Sequence, residues 1–454
     1  MVLQTSARIL VLGASGLIGR FITDDLRAQG FHVIGIARAF SASQRVTAFD
    51  LELPVLAMGA PALAQLIRDH AIDVIVNCLG VLQDGPGSDT RAVHRDFVAQ
   101  LLNGMADSGR ALRLIHISIP GTAEDDHTAF STTKREAEML IAASGVTYAI
   151  LRPGFVVAPS AYGGSAMLRA LAALPIDLPA KDAGTAFQPV AVEDLAATIG
   201  WLARRDLSDE AASAVTWDVA WHMTWDVTWE LMQPQKVSLG GVIDRFRFAF
   251  GTSEMPRVTL PTFMVDLGAW CGDLVSRLGW MPPMRKTAIA ELRRGVNGDP
   301  TPWMAATGIV PKTIAQAVGQ RSASIQDKWF ARLFLLKPLV IASLVLFWVM
   351  SGLIALVISF PATTAILTSH GFPPAIAAPF AAMTSVMDIS IGVLIAFRRT
   401  CAAGLVGGIV LSLGYMAGTA LLTPDLWIEP LGALVKTGPA IMLMLVALLI
   451  LDNR

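Results

Sequence analysis

Cysteine is nearly absent, with three in 454 residues: Cys78, Cys271 and Cys401. They are scattered, with no partner at metal-ligand spacing, which argues against disulfides, a structural zinc or any other metal site. Charge is scarce as well, at 16% of residues with a formal net charge of -1, so there is no basic surface for nucleic acid. The start of the chain lacks a basic segment followed by an apolar run and a cleavage site, so it reads as a folded strand and not a signal peptide. Apolar residues are abundant, at 54%. That is too many for a wholly soluble protein of this length, and the excess sits at the C-terminus.

The chain is organised around Arg8-Ile-Leu-Val-Leu-Gly13-Ala-Ser-Gly16-Leu-Ile-Gly19. An apolar strand runs into three glycines at a spacing of three, and then into a helical pattern of Ile18, Ile22 and Leu26. A tight strand-to-helix turn without Cβ atoms lets backbone N–H groups and the helix N-terminus face a pyrophosphate. Gly13, Ala14, Ser15, Gly16, Leu17, Ile18 and Gly19 are therefore the expected dinucleotide loop. Arg38 follows the second strand, Phe31–Ile36, where a carboxylate would hydrogen-bond a ribose 2′-OH. An arginine pairs instead with a 2′-phosphate, which favours NADP with NAD still possible; the alternative is a solvated surface arginine.

Further strands are expected at Val46–Leu51, Asp73–Gly80, Leu112–Ile117 and Tyr148–Arg152, alternating with helices near Ala62–His70, Arg91–Asp107 and Phe130–Ala143. Alternation of this kind predicts a doubly wound parallel α/β sheet of Rossmann type, with ligands at the carboxyl ends of the strands. Asp50 and Leu51 are placed to meet an adenine ring, and Cys78, Leu79 and Gly80 to pass under the cofactor. Gly163–Pro189 reads as loop-rich. Trp217, Trp221, Trp225 and Trp229 stand four apart in an alternating run, read as a strand to about Val219 and a helix from about Thr224.

These residues resemble the short-chain dehydrogenase/reductase superfamily in its extended or atypical branch. The matching stretches are Gly13-Ala-Ser-Gly16-Leu-Ile-Gly19, Asp50-Leu51, Asn77-Cys-Leu-Gly80, His116-Ile-Ser118, Lys134 with Glu136 and Glu138, Leu151-Arg-Pro153-Gly154 and Val190-Ala-Val-Glu-Asp194. The resemblance implies a serine that orients substrate (Ser118), a lysine that binds the nicotinamide ribose (Lys134), and a cofactor-covering loop opening at Pro153. It also implies a catalytic tyrosine four residues before the lysine, where this chain has Phe130. Phenylalanine has no proton to exchange, so ordinary alcohol–ketone chemistry loses an acid–base contribution of roughly a hundred- to ten-thousand-fold. Tyr162 is an alternative hydroxyl in a nearby loop, or simply a loop residue. Tyrosine-less relatives are found among accessory subunits of respiratory complex I, where dinucleotide binding serves structure.

The C-terminal third carries four apolar stretches, near 338–360, 375–397, 402–422 and 431–451, each long enough to cross a bilayer as a helix. Lys328, Arg332, Lys337, Arg398, Arg399 and Arg454 all fall on one side of such a topology. That side is expected to be the cytoplasm of a multi-pass inner-membrane protein, shared with the Rossmann domain. Asp388 and Lys436 interrupt the spans; they either pair, or Lys436 reaches the interface. This segment resembles the DoxX-like membrane family, which implies a link to quinone-dependent redox chemistry. The helix carrying Phe263, Leu267, Trp270, Cys271, Leu274 and Leu278 either lies on a membrane or packs on the first domain.

The expected domains are a Rossmann region over 1–310, a juxtamembrane linker over 311–337 and a transmembrane bundle over 338–454. The expected partners are the lipid bilayer and a quinone-like or lipid-like substrate. Two functions stay open: an oxidoreductase of this kind, and a non-catalytic NAD(P)H-binding structural or sensing module.

Overall fold

The computed structural model describes residues 7–41, 44, 47–85, 87–204, 225–319, 323–428 and 434–451. They form two compact units, residues 1–273 with 283–331, and residues 274–282 with 332–454.

The first unit is built on a seven-stranded sheet. Its strands are β1 (Arg8–Leu12), β2 (His32–Ala37), β3 (Asp50–Glu52), β4 (Val74–Asn77), β5 (Arg113–Ile117), β6 (Thr147–Pro153) and β7 (Val227–Leu231). The spatial order is β7-β6-β5-β4-β1-β2-β3, with every pairing parallel. The central strands are apolar at successive positions because helices cover both faces. On one face Ile9, Val11, Val76 and Ile117 pack with Ile22 and Leu26 of α1 (Leu17–Ala28) and with Leu195 and Ile199 of the Val192–Arg204 helix. On the other, Leu10, Leu12, Ile75 and Leu114 meet Leu63 of α2 (Ala60–Asp69), Phe97 and Leu101 of α3 (Phe97–Asp107), and Ile141 of α4 (Ala129–Ala142). The order reverses beside β1, the switch point where ligands of such sheets bind.

Three expectations change. Trp217 and Trp221 lie outside the described residues, but Trp225 and Trp229 do not open a helix. Trp229 belongs to β7, and both rings are buried beside the sheet. The stretch 163–189 holds a helix, Gly163–Ala173, because Leu168, Leu171 and Ala172 bury against Leu239, Val242 and Phe246. Residues 311–319 and 323–331 fall with the first unit rather than forming a linker: Lys312 N–H donates to Asp194 at 2.7 Å, Ile314 N–H to Gln233 at 2.7 Å, and Ile314 is in the core.

The second unit is helical. Ile325–Ile358, Pro374–Ala396 and Cys401–Leu422 are long and apolar enough to cross a membrane, and Thr437–Leu449 is a shorter apolar helix. A further helix, Phe360–Ser369, lies between the first two of these. Leu344, Trp348, Ile395, Leu405 and Met444 form the core. Glycine permits one close crossing, since a Cβ on Gly352 would lie 2.4 Å from the Ser385 carbonyl oxygen. Lys337 and Arg398 both donate to the Leu451 carbonyl, at 2.9 and 3.3 Å, at one end of the bundle. His370 and Asp425 pair at 2.9 Å in segments outside the spans. The suggested Asp388–Lys436 pair does not form: Tyr415 Oη donates to Asp388 at 2.8 Å, Ser351 Oγ at 3.2 Å, and Lys436 is exposed just before its helix.

Candidate dinucleotide site

Gly13 ends β1 in a left-handed conformation (φ 85°), and its N–H and that of Ala14 donate to the Ile36 carbonyl at 2.9 and 3.0 Å. Gly16 N–H donates to the Gly13 carbonyl at 2.9 Å, and Gly16 caps α1 without a side-chain bond. Arg20 N–H donates to the Gly16 carbonyl at 2.9 Å, while the N–H groups of Leu17 and Ile18, at the open end of α1, have no intrahelical carbonyl to meet and can face an anion. Gly19 has no room for a side chain, because its Cβ would sit 2.3 Å from the Gly13 carbonyl oxygen. Ser15 lies in the same turn, its carbonyl accepting from Gln44 at 3.3 Å. This cradle fits a dinucleotide pyrophosphate.

Arg38 stands exposed just past β2, with no hydrogen bond or ion pair to a described residue. Asp50, expected to meet an adenine ring, opens β3. Its buried carboxylate accepts from Arg27 at 2.8 Å and from the Thr47 N–H at 3.2 Å, tying β3 to α1. Leu51 pairs with Ile36 in the sheet.

At the end of β4, Cys78 N–H donates to the Leu12 carbonyl at 3.0 Å and Leu79 N–H to the Asn77 side chain at 3.1 Å. Burial pushes the Cys78 thiol up to about 12 despite the nearby Lys134, so it is a neutral group and no nucleophile. Lys134, on α4, is buried and donates to the Ile117 carbonyl at 2.8 Å and the Leu79 carbonyl at 3.2 Å. A Cβ on Gly80 would lie 3.5 Å from its Nζ. Burial lowers the ammonium to about 8, with the Glu138 carboxylate opposing the shift. Lys134 is therefore a cation at neutral pH that gives up its proton far more readily than a surface lysine.

His94 stands out in no sequence pattern, and the fold brings it beside this lysine. Its Nε2 accepts from the Val81 N–H at 3.1 Å, so Nδ1 carries the proton and donates to Thr133 Oγ1 at 2.8 Å. Burial, then the charge of Lys134, lowers His94 to about 2 and fixes it neutral. His116 is buried next to Asn77, 3.2 Å away, and is held neutral by the same two causes. The Phe130 ring stands edge-on to His94, centroids 5.5 Å apart. An apolar ring thus lines the wall where a phenol was expected. Tyr162 is exposed at the start of the Gly163–Ala173 helix.

Ser118 is buried at the end of β5 with its hydroxyl toward Glu138. Glu138 accepts from Arg152 at 2.6 Å and from Arg135 at 2.9 Å. Burial raises its carboxyl, but the bonds from Arg152, the nearby Ser118 hydroxyl and the two guanidinium charges outweigh that and hold it below its ordinary value. Pro153 is buried at the end of β6, and Gly154 N–H donates to the Leu231 carbonyl at 2.7 Å. Helix Lys286–Arg294 adds two contacts at the start of α4: Glu291 accepts from Thr128, and Arg294 donates to Asp126 at 2.8 Å. Among the described residues no cluster of His, Cys, Asp or Glu is arranged to hold a metal.

Residues 9–209 match the NAD dependent epimerase/dehydratase family, and residues 345–445 the DoxX-like family. The dTDP-6-deoxy-L-talose 4-dehydrogenase (NAD(P)(+)) of Kitasatospora kifunensis is 32% identical over 137 residues, 29% of this chain and 41% of that protein. The chloroplastic divinyl chlorophyllide a 8-vinyl-reductase of Cucumis sativus is 32% identical over 165 residues, 32% of this chain and 38% of that protein. The chain therefore spans less than half the length of these curated relatives. In fold, the first unit is similar to the UDP-glucose 4-epimerase of Thermotoga maritima (15% identity, TM-score 0.50, covering 69% of this chain and 97% of that one). It is similar also to Pal from Bacillus thuringiensis (13% identity, TM-score 0.50, covering 72% and 99%). The N-terminal region is thus an NAD-binding Rossmann domain of the epimerase and short-chain dehydrogenase/reductase type, and it is joined to a C-terminal DoxX-like domain.

Proposed function

We propose that this protein is a membrane-anchored NAD(P)H-dependent oxidoreductase that reduces a lipid-like or quinone-like substrate, with Lys134 taking the proton-donor role that Phe130 cannot fill. The carrying observation is the buried Lys134 ammonium, lowered to about 8 and placed between the Leu79 and Ile117 carbonyls, about one helical turn after Phe130. When bound, the dinucleotide supplies a hydride. The chain's own groups do the rest. The Gly13–Gly19 loop and the first turn of α1 bind the pyrophosphate. Arg38 meets a 2′-phosphate, so NADPH is preferred to NADH. Phe130 and the neutral His94 keep the wall beside Lys134 free of competing charge. Lys134 Nζ holds the proton. A quinone that gains one hydride and one proton becomes a quinol, so one acid group balances the reaction, and the product's low basicity makes a phenol unnecessary.

The apolar helices and the basic residues at one end of the bundle support an inner-membrane placement with the Rossmann domain cytoplasmic. A membrane tether suits a substrate that itself partitions into lipid. The second reading, a non-catalytic NAD(P)H-holding module, is favoured by Phe130 alone. Full-length protein in detergent, given NADPH and a soluble short-chain quinone, separates them. Quinone-dependent NADPH oxidation that is lost in Lys134→Met supports the oxidoreductase. Dinucleotide binding without turnover supports the holding module.

A further inference from the structure

The Thr262–Ser276 helix has two apolar faces, and only one is covered. Val265, Ala269 and Ser276 are buried, and Gly272 faces the Met284 carbonyl so closely that a Cβ would lie 2.0 Å from its oxygen. The helix's two acids are already paired, Asp266 with Arg293 at 2.9 Å and Asp273 with Arg285 at 2.7 Å. The opposite side presents Phe263, Leu267, Trp270 and Leu274, a straight i, i+4, i+7, i+11 stripe, at 66%, 53%, 51% and 45% exposure. Met264 and Val275 widen it, and Met281 beyond the helix is 70% exposed. A contiguous stripe of this size is not left to water without a use.

The chain itself indicates what covers it. Two residues after the helix, Leu278 accepts from the Arg398 N–H at 3.0 Å, and Trp280 Nε1 donates to the Ala396 carbonyl at 2.8 Å. The Arg398 guanidinium stands 5.5 Å from the Trp280 ring centroid. Ala396 is the last residue of an apolar span, and Arg398-Arg399 follow it. In a membrane protein the end of a span marked by arginine and tryptophan lies at the headgroup level. The last turn of the Thr262–Ser276 helix is therefore two residues along the chain from a segment held at the end of a span. We propose that this helix lies in the membrane interface, with Phe263, Leu267, Trp270 and Leu274 inserted at the headgroup–acyl boundary. The proposal rests on reading the long apolar helices as membrane spans.

The test is spin-label accessibility on full-length protein reconstituted into phosphatidylcholine vesicles, comparing collisions with oxygen and with a water-soluble nickel chelate. Labels go, in a Cys271→Ser background whose own residual labelling is subtracted, at Leu267→Cys, at Met383→Cys, exposed on a span, and at Asp107→Cys, exposed at the end of α3. The expected result is an oxygen-over-nickel ratio at Leu267→Cys shifted toward that at Met383→Cys and well above that at Asp107→Cys. A lipid value at Met383→Cys with a water value at Leu267→Cys overturns the proposal and leaves the spans intact. Spin–spin broadening at Leu267→Cys, or exclusion of both probes, means a second copy or another protein surface covers the stripe and also overturns it. A water value at Met383→Cys removes the membrane reading itself.

Discussion

Adding one methyl group at Gly19 tests the phosphate cradle. Gly19→Ala would put Cβ 2.3 Å from the Gly13 carbonyl oxygen and 2.8 Å from its carbon. An ordinary contact needs about 3.5 Å, so the loop must retreat by about 1 Å. The clashing atoms are backbone and cannot swing aside as a side chain would. Overpacking of this kind costs about 1–3 kcal/mol, and the displaced atoms belong to the turn that meets the pyrophosphate. The dinucleotide Kd should therefore rise roughly 10- to 100-fold, since each 1.4 kcal/mol is a factor of ten. Gly30→Ala is the control. Gly30 is also left-handed, at φ 89°, but nothing lies within 4 Å of its Cβ position. It incurs backbone strain of about 1–2 kcal/mol and no clash. Both variants should melt a few degrees early, but only Gly19→Ala should lose affinity. NAD(P)H fluorescence titration with a thermal melt of each variant reads both quantities. A wild-type Kd in Gly19→Ala would show that this loop does not carry the phosphates.

Arg38→Ala should weaken NADPH roughly tenfold or more, the value of a charge-assisted hydrogen bond, and leave NADH unchanged; competitive titration of the two dinucleotides checks it. Glu138→Ala strips two guanidinium groups, Arg135 and Arg152, of a buried counter-charge and should cost about 3 kcal/mol or more by denaturant unfolding. Because the Glu138 carboxyl is held below its ordinary value, its contribution is fully present above the unfolded value of about 4.3 and is lost as pH falls through the folded one. Wild type should therefore lose more stability on acidification than Glu138→Gln. A reporter fused after Arg454 that works only outside the cytoplasm should stay silent, and activity there would mean one apolar stretch does not cross.

The sheet and the glycine turn were legible because parallel strands covered on both faces leave continuous apolar runs, and because only glycine fits at positions 13 and 19. Lys134 and Phe130 were legible by their spacing. His94 was not, since a lone histidine on a helix has no pattern of its own until the chain brings Val81 and Thr133 to its two nitrogens. Asp50 sat at a family position, but Arg27 reaches it from α1, a pairing 23 residues apart that composition cannot show. The tryptophan run misled because a spacing of four satisfies both a helical face and one side of a strand, and sheet pairing with β6 decides for the strand. The Thr262–Ser276 helix has apolar residues on two faces, so periodicity announces a helix without saying which face is covered.

The most direct test of the proposed chemistry is the pH dependence of kcat/KM for NADPH in quinone reduction by the full-length protein. With the Lys134 ammonium as the acid, the rate should fall as pH rises through about 8, and Lys134→Met should show a low rate without that limb. A wild-type profile that stays flat from pH 7 to beyond about 10, or one that Lys134→Met shares, would show that the proton comes from elsewhere and contradict the account.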